Sequence, residues 1–112
     1  MLDWLYPSYA EMYMQLVKRD GSLIKQLKDN LEKSKELMNS LSTNELEFKY
    51  AIDKWSIKEV LIHIIDDERI YAYRSLAFAR NDKTILPGFE QDDYAKYSDE
   101  DCRSKMEIRE SL

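Results

Sequence analysis

One histidine, one cysteine, two glycines and two prolines are all that 112 residues contain of these types. Each scarcity excludes something. A β-rich fold needs many turns, and turns draw on Gly, Pro, Asn and Asp, so the chain reads as a few long helices. A single thiol, Cys102, forms no internal disulfide and suits a reducing cytosol. Basic stripes and tails are missing too: net charge is −5 and the pI about 4.9. Duplex binding gains affinity by neutralising phosphates with Lys and Arg, so this balance argues against nucleic acid, and equally against anionic membranes. No uncharged apolar run approaches the roughly 20 residues of a membrane span. The first residues have no basic segment ahead of an apolar stretch, and Asp3, Pro7 and Glu11 interrupt them, so no signal peptide is expected.

What is present is 44% apolar and 35% charged residues, the mixture of an ordinary globular protein, and length for one small domain over residues 1–112. Residues 8–18 have Tyr9, Met12, Tyr13, Leu16 and Val17 at helical spacing behind Ser8, a candidate cap. Asp20-Gly21-Ser22 marks a break. Over residues 22–41, Ile24, Leu27, Leu31, Ser34, Met38 and Leu41 keep an a/d rhythm among lysines and glutamates, which predicts an amphipathic helix. Residues 44–54 lack a period and are expected to cross over the bundle end. Ser56-Ile57-Lys58-Glu59 is a capping box opening a helix to about residue 80, with Trp55 placed to staple its first turns. Residues 81–97 contain Pro87-Gly88 and form a long connection, of the kind that is functional or disordered, with Ile85, Leu86, Phe89, Tyr94 and Tyr97 expected to pack on something. A last helix opens at Ser98-Asp99-Glu100-Asp101, with Cys102, Met106 and Arg109 on one face and Cys102 as small core filling. It has no stop signal before Leu112, as in a chain cut before a further helix. The predicted fold is all-α, an antiparallel bundle with about three helices present.

The helix beginning at residue 56 carries the histidine. At 100° per residue, Ile57, Val60, Leu61, Ile64, Tyr71, Ala72, Ser75, Phe78 and Ala79 fall in one arc, the predicted core face. Ile62, Ile70 and Tyr73 lie on the far side, so the helix is apolar on more than one face. That pattern predicts neighbours on two sides or an oligomer interface. Glu68 falls inside the core arc, where a carboxylate needs a partner. His63, Asp67 and Arg74 line up beside the arc, with Glu59 one turn before. Spacing leaves two readings of His63 open: a hydrogen-bonded rim histidine, or a metal ligand. A catalytic zinc site typically takes three protein ligands, and no second histidine exists.

Trp55, Ser56, Glu59, Leu61 and His63, in the pattern W-S-x-x-E-x-L-x-H, followed by Asp66, Glu68 and Arg69, resemble the DinB-like (YfiT-like) family of bacterial four-helix bundles. Tyr71, Arg74 and the stretch LPGFEQDDY at 86–94 fit the same family. The resemblance implies a divalent metal, nickel or zinc, held by three histidines. The first maps onto His63, and the other two belong to a late motif with no counterpart here. It also implies thiol-transfer chemistry, with the metal activating a low-molecular-weight thiol such as bacillithiol or mycothiol. Within that expectation Asp67 or Glu59 orients the imidazole, and Tyr71 and Arg74 face a small polar or anionic substrate. The alternative is a non-catalytic helical module that pairs as a homodimer through exposed apolar faces. Both readings place the protein in the cytoplasm, with no nucleic acid and no membrane partner.

Overall fold

The structure, a computed structural model, describes residues 7–112 and is all-α, with no strand among the described residues. Its elements are α1 (Glu11–Met14), α2 (Leu23–Ser40), α3 (Thr43–Leu46), α4 (Ile57–Ala79), α5 (Gln91–Lys96) and α6 (Lys105–Ser111). Short 3₁₀ turns at Ser8–Ala10 and Glu100–Cys102 complete the set. The chain divides into two compact units, Met1–Glu36 and Leu37–Leu112. No helix among the described residues is long and apolar enough to cross a membrane.

In the first unit, the helix expected over 8–18 is shorter than its pattern. A 3₁₀ turn leads into α1, and the cap position is Pro7, so the Ser8 side chain caps nothing. After Met14 the backbone tightens into bonds from Leu16 N–H to Tyr13 C=O and from Val17 N–H to Met14 C=O. Tyr9, Met12, Tyr13 and Leu16 are all exposed. A short helix without a buried face has little to offset its nucleation cost, so it ends early. Gly21 takes φ +79°, a left-handed conformation that admits glycine without strain. Asp20 then accepts hydrogen bonds from the N–H and hydroxyl of Ser22, and α2 begins one residue on.

The second unit is built from caps and one apolar cluster. Ser42 with Glu45, Ser56 with Glu59, and Ser104 with Glu107 each form a complete capping box, opening α3, α4 and α6. Each box satisfies two backbone N–H groups that a bare helix start leaves open. α4 closes in a Schellman motif: Asn81 adopts φ +54°, Asp82 N–H bonds Ala77 C=O, and Asn81 N–H bonds Phe78 C=O. The core comprises Met38, Leu46, Leu61, Ile62, Ile65 and Ile108, with Leu41, Ile57 and Leu112 packed against it. Lys105 clips the end of α2 by donating to the carbonyls of Asn39 and Leu41, where a cation complements the helix dipole.

The second unit departs from its sequence pattern in several places. The crossover at 44–54 begins as α3, whose box lies at Ser42-Thr43-Asn44-Glu45. The 81–97 connection contains α5, anchored by buried Ala95. The last helix starts at Ser104, not Ser98, because Asp99 turns left-handed at φ +52° and breaks the run, which leaves Cys102 exposed on a 3₁₀ turn. The core face of α4 is Leu61, Ile62 and Ile65, about a quarter turn from the predicted arc. Val60, Ile64, Tyr71 and Phe78 are exposed instead. Glu68 is exposed as well, so it needs no buried partner.

Candidate functional site

α4 sets His63 and Asp67 one turn apart on one line. His63 Nε2 lies 3.3 Å from Asp67 Oδ2, and both side chains are largely covered. Trp55, placed just before the cap, lays its ring edge-on to the imidazole in the second turn of α4, at 5.1 Å between centroids. That contact fixes the ring plane and shields one side from water. Asp67 Oδ1 is enclosed and has no hydrogen-bond partner. A carboxylate oxygen removed from water without a donor costs free energy, so this position favours a cation or a donor that reaches it.

Glu59 does not join them. Its Oε2 accepts from the Ser56 N–H at 2.6 Å and pairs with Lys49 Nζ at 3.2 Å. Burial pushes Glu59 up, but the Ser56 bond and Lys49 outweigh it and hold the carboxyl below its ordinary range. Facing it is Glu100, which accepts the Ser56 hydroxyl at 2.9 Å. Burial raises the Glu100 carboxyl, and the neighbouring Glu59 charge adds to the rise. Nothing at the start of the 98–101 acidic run signalled this pairing, since the two glutamates stand 41 residues apart in sequence.

Arg74 and Tyr71 form a second, separate group. Arg74 lies eleven residues beyond His63, about 16 Å along the helix axis. Its Nη2 donates to Pro87 C=O at 3.1 Å, and its guanidinium sits 5.6 Å from the centre of the Tyr71 ring. Arg74 lines up with Asp67 on α4, but its guanidinium bonds the Pro87 carbonyl of the 82–90 segment and makes no ion pair with Asp67. Arg74 tethers that segment over α4 and closes a cleft of about 310 Å³ against Arg69, Ile70, Tyr73, Phe89 and Tyr94.

The sequence profile of the DinB superfamily matches residues 26–112. The chain belongs to the DinB superfamily. No curated protein and no solved structure matches the chain. The match spans α2 to α6 and includes both the His63–Asp67 pair and the Arg74 tether.

The residues of this DinB chain meet a metal only part-way. Metal–ligand bonds of about 2.1 Å at a tetrahedral angle put neighbouring donor atoms roughly 3.4 Å apart. The 3.3 Å between His63 Nε2 and Asp67 Oδ2 matches that spacing, and is long for a strong hydrogen bond. Yet among the described residues no group of three His, Cys, Asp or Glu side chains is placed to hold an ion. His63 and Asp67 are two donors of an open set, and by themselves they do not close a site.

Proposed function

We propose that this DinB domain contributes His63 to a divalent-metal centre, nickel or zinc, with Asp67 beside it, and that the enzyme so formed transfers a low-molecular-weight thiol of the bacillithiol kind. The observation that carries this reading is the donor pair itself, half-shielded by Trp55, with one enclosed carboxylate oxygen lacking a partner. His63 and Asp67 supply two of the donors, and the centre needs at least one more. A metal in such a centre lowers the pKa of a bound thiol, and the thiolate is the nucleophile. The chain's own part is to hold the imidazole edge-on against Trp55 and to keep Asp67 within reach. The test is metal content after exposure to nickel or zinc and desalting. The wild-type protein retains metal, His63→Ala falls to background, and Asp67→Asn loses affinity by about 10- to 100-fold. Equal metal in wild type and His63→Ala removes His63 from the centre.

A second reading is favoured by a specific surface. Val60, Ile64, Tyr71 and Phe78 recur on one line of α4 and remain 41%, 38%, 57% and 88% exposed. Exposed apolar side chains recurring on one face, with Glu68 among them, favour association, and a two-fold homodimer would cover them on both copies at once. Sedimentation distinguishes the cases: self-association in the micromolar range that Ile64→Lys abolishes supports pairing through this stripe. A monomer across that range excludes it.

A further inference from the structure

The cleft beneath the 82–90 segment has a composition unlike the rest of the molecule. It is lined by Ile70, Leu86 and Phe89 on its apolar side and by the rings of Tyr73 and Tyr94. Its charged residues are Arg69 and Arg74, and no carboxylate lines it. In a chain of net charge −5, with 22 acidic residues against 17 basic, a lining with two cations and no acid is a local inversion of charge. It begins at Arg69, six residues and about 9 Å along α4 from His63, so it is not the wall of the imidazole site.

The geometry also shows which donors remain for a ligand. A guanidinium carries five N–H donors in a planar fork. Arg74 uses Nη2 on Pro87 C=O, which holds it in place over the Tyr71 ring and leaves other N–H groups unspent. Arg69 stands at the same cleft with its side chain 62% exposed, its nearest acid being Asp66 at 3.9 Å, a loose pair. Phe89 and Tyr94 meet at 5.1 Å and 52°, giving a tilted aromatic wall. At about 310 Å³ the space is at the small end of ligand pockets.

We infer that this cleft binds a small aryl carboxylate, its ring against Phe89, Tyr94 and Ile70 and its carboxylate on Arg69 and Arg74. Each part of the ligand answers a part of the lining. The aromatic body takes the place of water on an apolar surface, and the carboxylate supplies an anion to a lining that has two guanidiniums and no acid. The inference does not depend on the metal reading, and its test is run with a chelator present so that metal-dependent binding does not contribute.

The probe is 1-naphthoate, titrated into the full chain by calorimetry, with 1-naphthalenemethanol as its neutral analogue. Naphthoate binds, and the alcohol binds at least about tenfold more weakly, because the alcohol forms no charge-assisted bond to a guanidinium. Arg69→Gln reduces naphthoate affinity by about tenfold and leaves the alcohol unchanged. Arg69 takes no part in the tether, so this variant keeps the cleft's shape, whereas Arg74→Gln also frees the segment and weakens both probes. No naphthoate binding to the wild type, equal affinity for the two probes, or undiminished binding in Arg69→Gln overturns the assignment.

Discussion

Ile62→Ala lowers the stability of the protein by about 2–5 kcal/mol, while Ile64→Ala, two residues on, costs under about 1 kcal/mol. The contrast follows from position alone. Ile62 is fully buried in the cluster formed with Met38, Leu46, Leu61, Ile65 and Ile108. Removing its branched side chain leaves a void among residues drawn from α2, α3, α4 and α6, and such a site collapses poorly. Ile64 is 38% exposed and stands on the opposite side of α4 from Ile62. Its truncation removes apolar surface that water already reaches. Urea titration of both variants reads the difference directly, and the transition slope should stay that of the wild type. Equal losses, or a larger loss for Ile64, would show that the apolar moment of the helix and not the buried cluster defines its core face.

That core face was the largest misreading available from the residues. α4 was legible in its limits: Ser56 and Glu59 placed its start, and the pattern ran to about residue 80 against an observed end at Ala79. Its orientation was not, because apolar residues lie all round it. Ile57, Val60 and Ile64 crowd one arc, and Leu61, Ile62 and Ile65 another. Periodicity picks the denser arc. Burial is decided by where Leu46 and Ile108 arrive, and both belong to short elements with too few residues to show a period. α3 and α6 were nonetheless signalled by their own boxes, Ser42 to Glu45 and Ser104 to Glu107. Only the box before the long apolar run stood out, since the others precede a few polar-rich residues.

The candidate site divides in the same way. The His63–Asp67 spacing is a property of one helix, so four residues of sequence were enough to find it. Glu59 shares that face by arithmetic, but its carboxylate is held by the capping box, a stronger local claim than any distant ring. Arg74 was placed beside Asp67 by the same arithmetic and is drawn instead to the Pro87 carbonyl, thirteen residues on. Helical geometry tells which residues can meet, whereas partners from loops decide which do. The cleft around Arg69, Phe89 and Tyr94 depends on a loop returning over α4, and no spacing rule on a single element anticipates that.

Glu100→Gln stabilises the protein at neutral pH, whereas Ser56→Ala destabilises it by about 1–3 kcal/mol, although both touch the same junction. Ser56 is 1% exposed and uses every polar atom it has for side-chain or cap bonding. Its Oγ accepts from Glu59 N–H at 3.0 Å and donates to Glu100 Oε2 at 2.9 Å, while its own N–H donates to Glu59 Oε2. Alanine removes the cap and leaves Glu100 without its donor beside a second carboxylate. Glutamine at 100 keeps an oxygen for the Ser56 hydroxyl and removes the charge that burial and Glu59 oppose. The pH dependence separates the two carboxyls. Glu59 lies below the ordinary 4.5 in the folded chain, so its contribution is present above that value and is lost as pH falls through the lower folded one. Glu100 lies above 4.5 when folded, so its contribution is full below that value and is lost as pH rises through the folded one. The gain from Glu100→Gln therefore develops as pH rises from 4.5, while the acid-side loss carried by Glu59 persists in the variant. Thermal unfolding midpoints measured from the carboxylate range to neutrality give both limbs. A gain that is the same at every pH, or a loss at neutral pH, would place the Glu100 charge outside this junction.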